Sequence, residues 1–454
     1  MPKLNNLELA ALEQAILDRK DFPILADLET NTSFSSHKLV YLDSAATSLK
    51  PNVMLAAVHA YDTSYTANLH RGLYQQAELV TSKYEFVRAQ VANFMGAQTA
   101  EIVFTAGTTA GINFVATSWG ESNLKPGDEI IVTELEHHAN FLPWLELAKR
   151  KQVNLKIVSI DPVTGELDLE NFKKLLTNKT KLIAVSLSSN VLGVPTSASE
   201  LIKLAKNYNP EIKILVDAAQ TVSHARINIQ ELNCDFLVFS GHKIFAPTGV
   251  GVLFIRAEIG EKLEPYQYGG GMVFDLNYSN ASWLKAPYKF EAGTPPIAQV
   301  LGLGAALEYL QEKLVPKITP ATSLDKRRNE REMVNSQKFL NLDNLDFSIL
   351  QAHLASLCTV LINNLTEIPG IRILGDLEKI KANGHIVSFS SDKYHAHDIA
   401  AYLDRFGICV RAGNHCAKLL HQRLGVESSV RVSLHGYNNL QEINYFIESL
   451  RQLF

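Results

Sequence analysis

Lys213-Ile-Leu-Val-Asp-Ala-Ala-Gln220 is a short apolar run that ends in an acid, and the residues on either side repeat its grammar. A second apolar run, Asp235–Phe239, ends in Ser240-Gly-His-Lys243, which puts Lys243 26 residues beyond Asp217. Brief apolar runs bounded by polar turns read as buried strands. Further examples are Glu101–Phe104, Glu129–Thr133, Leu155–Ser159, Lys181–Ser186 and Gly251–Ile255. Helical patterns lie between them, such as Tyr84, Val87, Val91 and Phe94, closed by Gly96. Strands alternating with helices from residue 41 to 256 predict βαβ units and an α/β fold with a mainly parallel sheet. No period of about 20–50 residues recurs, which excludes a repeat array.

Outside this block the pattern changes. Residues 4–20 read as a helix closed by Asp21-Phe22-Pro23, and 30–38 as a polar turn. Beyond the helical run Leu301–Glu312, residues 313–345 are polar, and the charged cluster Asp325–Glu332 reads as a solvated face. A second α/β pattern starts at Phe347, with a strand His385–Phe389 and a helix from near His397. A closing helix carries Leu440, Ile443, Ile447 and Leu450 on one face. The expected division is a large domain over 40–312 and a smaller one from 1–39 and 313–454, with 313–345 as an insertion.

Composition excludes several classes. The 454 residues carry a net charge of −4, without the basic excess a nucleic-acid surface needs. No run approaches the ~18 consecutive apolar residues of a membrane span. The N-terminus lacks a charged-then-apolar signal pattern, and Glu8, Glu13, Asp18 and Asp21 fit poorly with an acid-poor transit peptide. Four cysteines in a chain of this length make no disulfide framework, so a reducing, cytoplasmic setting is expected, with any working cysteine acting as a thiol.

Asp217 and Lys243 both close strands at the carboxyl edge of the sheet, where α/β proteins bind ligands. An acid there is also an ordinary helix N-cap. Lys243, however, is flanked by Gly241 and the apolar Ile244-Phe245-Ala246, where desolvation favours a free amine. An acid for a pyridinium nitrogen and a lysine for an aldehyde are the two groups pyridoxal phosphate needs from a protein. Phe104-Thr-Ala-Gly-Thr-Thr-Ala-Gly-Ile-Asn113 adds a strand-to-helix turn whose free N–H groups, with Thr108 and Thr109, suit a phosphate; routine capping is the alternative. In Glu136-His-His-Ala-Asn140 the adjacent histidines diverge, and no second ligand cluster stands at zinc-like spacing, so no metal is expected. An imidazole against a cofactor ring, able to shuttle protons, suits His137 better.

Tyr41-Leu-Asp-Ser-Ala-Ala46, Leu69-His-Arg-Gly72, Gly107–Asn113, Glu136–Asn140, Ser189-Asn-Val-Leu-Gly193, Val216–Gln220, Phe239–Lys243 and Phe290-Glu-Ala-Gly-Thr-Pro295 together resemble the class V aminotransferase family of pyridoxal-phosphate enzymes. The chain is similar to the cysteine desulfurases of its SufS/CsdA (type II) group. The resemblance implies fold type I of the pyridoxal-phosphate transferases, with a seven-stranded sheet in the large domain. It implies that Lys243 binds the cofactor aldehyde, Asp217 pairs with the pyridinium nitrogen and His137 stacks on the ring. Asn190 and Gln220 would serve the ring oxygen, and Thr108, Thr109, Ser240 and His242 the phosphate. Thr294 would reach the phosphate from the partner subunit of a homodimer. Ala45, His70, Asn190, Arg411 and Arg431 would meet the substrate.

Val410-Arg-Ala-Gly-Asn-His-Cys416-Ala417 bears on the reaction. A cysteine in a polar, Gly-containing loop near Arg411 sits where positive charge favours thiolate, whereas Cys234, Cys358 and Cys409 lie in apolar runs. By resemblance, Cys416 attacks the sulfur of L-cysteine, giving L-alanine and a persulfide, and the arginine of Ser429-Val-Arg431-Val-Ser433 clamps the carboxylate. Lys243 takes the Cα proton, with His137 assisting. A SufE- or SufU-type acceptor supplying iron–sulfur cluster assembly is the implied partner. Selenocysteine lyase, another class V enzyme such as an aminotransferase or epimerase, and a non-catalytic scaffold are the alternatives. Tyr268-Gly-Gly-Gly-Met272 is one residue tighter than the family's usual glycine run, and 313–345 is longer than in relatives.

Overall fold

The computed structural model of the chain describes residues 12–26, 39–70, 72–314 and 345–454. Strands are numbered along the chain: β1 Val40–Tyr41, β2 Ile102–Thr105, β3 Glu129–Thr133, β4 Asn154–Val158, β5 Thr180–Ser186, β6 Lys213–Asp217, β7 Phe236–Ser240 and β8 Gly251–Ile255. β2 to β8 form one seven-stranded sheet in the order β2-β8-β7-β6-β5-β3-β4. All seven coincide with the sequence expectations to within a residue or so. The reason is burial on both faces. Ile130, Val132, Leu182, Ala184, Leu215, Phe236 and Val238 enter one apolar core. Their neighbours Ile131, Ile183, Val185, Ile214, Val216, Leu237 and Phe239 enter the other, so each strand reads as an unbroken apolar run.

β3, β4, β5, β6 and β7 run parallel, whereas β8 is antiparallel to both β7 and β2. β2 therefore points the same way as β7, and the loops after β2, β3, β5, β6 and β7 open on one edge. Gly251 lets β8 pass the loop after β2. A Cβ there would lie 2.4 Å from Gly107 Cα, closer than any side chain tolerates. Gly107 has φ 148°, a conformation that glycine adopts without steric cost.

The helix Gln75–Met95 buries Tyr84, Val87, Val91 and Phe94 and ends at a left-handed Gly96, as the spacing predicts. β9 Val273–Leu276 and β10 Ala281–Trp283 form an antiparallel hairpin that no pattern announced, because Phe274 and Leu276 are exposed.

β11 Ile371–Ile373, β12 Ile386–Ser391, β13 Ile408–Cys409, β14 Arg411–Gly413 and β15 Ser429–Ser433 complete the strands. β11-β12-β15-β14 make a second, antiparallel sheet, and β1 pairs in parallel with β13. The expected helices appear as Ala396–Asp404 and Leu440–Arg451, the latter capped by Asn439 with Glu442 in a reciprocal box. Helix Ser348–Leu365 is long and apolar enough to cross a membrane, but Leu350, Leu354, Leu357, Leu361 and Leu365 are buried in the core.

The helix expected over 4–20 is corrected within its described part. Turns and bends follow Leu12, then a 3₁₀ turn at Arg19–Asp21 and a short helix Pro23–Ala26. Tertiary bonds override local propensity here: Leu17 N–H donates to Gly436 O, and Arg19 to Tyr437 O and Glu442. The readings of 30–38 and of 325–332 lie outside the described residues.

Candidate active site

Five loops of the large sheet's edge and two strands of the small one enclose a cavity of about 290 Å³. From the loop after β2 come Thr108 and Thr109, at the start of the helix Thr108–Val115. Thr108 N–H donates to Ser240 Oγ at 2.9 Å, and the two hydroxyls are also 2.9 Å apart, so Ser240 locks this helix start to β7. Asp217 ends β6 and His137 follows β3. Asn190 follows β5, and Ser240, His242 and Lys243 follow β7; all line the cavity, as do Ala45 and Gln220. Gln220 Nε2 donates to Ala45 O at 3.0 Å.

Burial sets the protonation states. Lys243 is pushed down to about 8, chiefly by desolvation; Asp217 opposes the shift and Arg431 and Arg411 add to it. Burial raises Asp217, while the Ala219 N–H at 2.9 Å and Lys243 pull it back toward the carboxylate. His137 is lowered to about 4 by burial, Lys243 and its neighbouring cations, so its ring is neutral at pH 7. Its Nδ1 accepts from Ala139 N–H at 3.1 Å, leaving the proton on Nε2.

Across the cavity, β14 and β15 place Arg411 directly opposite Arg431. Two like charges in register repel. Asp43, just after β1, resolves this: it takes Arg431 Nη2 at 3.1 Å and Arg411 Nη2 at 2.9 Å. Arg431 is 3% exposed, and its Nη1 donates to Asn190 O at 2.9 Å. Asp43→Ala leaves that buried cation without its counter-charge, and a loss of about 3 kcal/mol in stability is expected. Denaturant melts with and without L-alanine check it: the amino acid's carboxylate can take the vacated place and should recover part of the loss.

Cys416 is exposed at the rim, on a backbone of φ 55° that follows His415 at φ 50°. Two consecutive left-handed non-glycine residues carry strain of about 1–2 kcal/mol each. The loop is held by His138 N–H to Cys416 O at 2.7 Å and Asn190 Nδ2 to His415 O at 2.7 Å. Cys234 and Cys358 are buried, and burial pushes the Cys234 thiol up to about 12. Cys409 is half-buried and does not line the cavity, so Cys416 is the thiol that faces it.

Of the remaining expected residues, His70 stands elsewhere in this chain, and Thr294, expected to serve a partner's cavity, lies outside its own. His70 is 3.8 Å from Glu85 and edge-on to Tyr288, and Thr294 is exposed 3.5 Å from Asn68 Nδ2; neither lines the cavity. Sequence reading passed over Asp43, although it sits inside the quoted Tyr41–Ala46 motif as a charge among small residues. It also missed Glu136, pushed up to about 7 by burial and bound by Thr133, Asn140 and Ser186. These bonds tie the ends of β3 and β5 together behind His137.

The aminotransferase class-V family model matches residues 40–341 and 329–446. A cysteine desulfurase of Synechococcus elongatus is 38% identical over 436 residues, covering 96% of this chain and 63% of that protein. A probable cysteine desulfurase of Staphylococcus aureus is also 38% identical, covering 95% of each. Among solved structures, the cysteine desulfurase of Thermococcus onnurineus superposes with a TM-score of 0.82 at 33% identity, covering 100% of this chain and 99% of that one. CsdA of Escherichia coli gives 0.80 at 31%, covering 96% of each.

Proposed function

The chain belongs to the class V aminotransferase family, and from that premise we propose that it binds L-cysteine in this cavity, releases L-alanine and retains the sulfur on Cys416. It is a cysteine desulfurase, and its cofactor is pyridoxal 5′-phosphate. The donor set fits that group. A buried amine on Lys243 stands in the same cavity as a buried carboxyl on Asp217, and a helix start with the exposed Thr109 offers donors for a phosphate. When bound, the cofactor supplies the electron sink for a carbanion at the substrate Cα.

This chain's residues do the rest. Arg431 and Arg411 take the carboxylate by paired charge-assisted bonds, exchanging Asp43 for the substrate. Lys243, with an amine that loses its proton near pH 8, removes the Cα proton. Asp217 would hold the positive charge of the cofactor's ring nitrogen. His137, neutral and with its proton on Nε2, can give and regain that proton. The Cys416 thiolate attacks the substrate Sγ: the S–S bond forms, the Cβ–S bond breaks with its electron pair passing to carbon, Cβ gains a proton and Cα regains the one it lost, giving L-alanine. Cys416 is left as a persulfide, a reversible cap.

Convergence of Lys243, Asp217, Arg431 and an exposed cysteine on one cavity carries this reading. L-Cysteine with a thiol reductant is expected to give alanine and sulfide in equal amounts. Pyruvate or a second amino acid as product would point to another class V reaction.

The same proposal extends to a homodimer. Phe274 at 75% and Leu276 at 67% exposure leave the β9–β10 hairpin an uncovered apolar surface. His70 and Thr294, outside their own chain's cavity, are available to a partner's. The division into 40–312 and the remainder, a cytoplasmic setting and a SufE- or SufU-type acceptor feeding iron–sulfur assembly belong to this reading too.

A further inference from the structure

The hydrogen bonds behind Cys416 determine which nitrogen of His415 carries its proton. His421 Nδ1 lies 3.0 Å from the carbonyl oxygen of Ala417, which can only accept, so the proton is on Nδ1 and Nε2 holds a lone pair. Burial lowers the His421 pKa, which keeps this ring neutral. Ser429 Oγ, 2.9 Å from His421 Nε2, must give its single proton there. Its oxygen is then the acceptor for His415 Nε2–H at 3.0 Å. In a neutral ring this leaves His415 Nδ1 bare. That atom is buried and has no partner among the described residues, and His415 lines the cavity one residue before Cys416. Burial, with the Arg431, His421 and Arg411 charges, pushes the ring down to about 2, so it acts as a standing acceptor rather than a base.

L-Cysteine brings three polar groups. The carboxylate accepts, and matches the arginines. The amine is taken up at the Lys243 end. The thiol is the remaining donor, and it has to sit beside Cys416. Building on the desulfurase reading, we propose that His415 Nδ1 accepts the side-chain S–H of the substrate, a thiol-recognition point whose tautomer is set by Ala417 O, His421 and Ser429. His415 then holds the substrate Sγ next to the attacking thiolate and gives nothing to a thioether, which has no proton to donate. No other group in the reaction uses this lone pair.

Two measurements on the intact 454-residue chain test it. Long-range ¹H–¹⁵N imidazole spectra, taken without substrate and assigned by loss of signals in His415→Leu and His421→Phe, should place the proton on Nε2 of His415 and on Nδ1 of His421. Steady-state rates on L-cysteine and L-selenocysteine form the second arm, because a selenol is ionised at neutral pH and has no proton to offer. His415→Leu should lower kcat/KM about tenfold on L-cysteine and less than twofold on L-selenocysteine. His415→Asn, which can present an amide oxygen, should recover much of the cysteine loss. Ser429→Ala frees the His415 tautomer and should show the same substrate selectivity, which keeps the test open should His415→Leu fail to fold. A proton on Nδ1 of His415, or equal losses on the two substrates, overturns the assignment. Absence of alanine with the parent protein overturns the desulfurase reading and the thiol assignment with it, whereas the wrong tautomer sinks this inference alone.

Discussion

Replacing Cys416 with serine is expected to reduce alanine formation from L-cysteine by at least about 10³-fold while leaving cofactor binding intact. A serine hydroxyl stays protonated at neutral pH and is a far weaker nucleophile than a thiolate. The side chain is exposed, and the loop is held by backbone bonds from His138 and Asn190, so serine should not disturb the fold. Alanine assay and the visible absorption of the bound cofactor, read together, separate loss of the nucleophile from loss of the site. Parental alanine production in Cys416→Ser would refute the role given to this residue. L-Selenocysteine should be run in parallel, since selenium leaves more readily and its turnover can survive the loss of the thiol.

Lys243→Ala is expected to lose turnover to a similar degree and to abolish covalent trapping of the cofactor by borohydride. In the parent, mass spectrometry of the reduced protein should locate the tag at 243 alone; a tag on a different lysine removes the basis of the mechanism. The depressed pKa gives a further, cofactor-free readout. Acylation of the Lys243 amine should reach half its limiting rate near pH 8, well below an ordinary lysine. Between about 8 and 10.5 the unfolded chain holds a proton at this lysine that the folded one has lost, so the cofactor-free protein gains stability as pH rises through that window. Lys243→Ala should flatten this part of the profile.

Particular residues show why some features were legible and others were not. Asp217 and Lys243 could be found because each closes an apolar run, and a strand end is a local signal. Cys416 stood out by contrast with Cys234 and Cys358, whose apolar neighbours mark them as core. Asp43 was overlooked since its task, separating Arg411 from Arg431, exists only once β14 and β15 pair in register. The His415 relay was hidden for the same reason. Ser429 lies 14 residues beyond His415 and eight beyond His421, and the pairing of β14 with β15 brings it back to the cysteine loop. Within residues 12–20 the expected N-terminal helix gives way because Leu17 and Arg19 are held by partners more than 400 residues away.

By itself the sequence determined the seven-stranded sheet, the edge at which its loops gather and the chemical types those loops carry. Strand burial and strand-end chemistry are written in neighbouring residues, and neighbours are what a sequence displays. Only the tertiary structure decided which guanidinium meets which carboxylate, which histidine nitrogen keeps its lone pair, and that His70 lies outside its own chain's cavity. Those outcomes depend on distances between segments far apart in the chain, which pairing of strands and closure of loops create and no local pattern encodes.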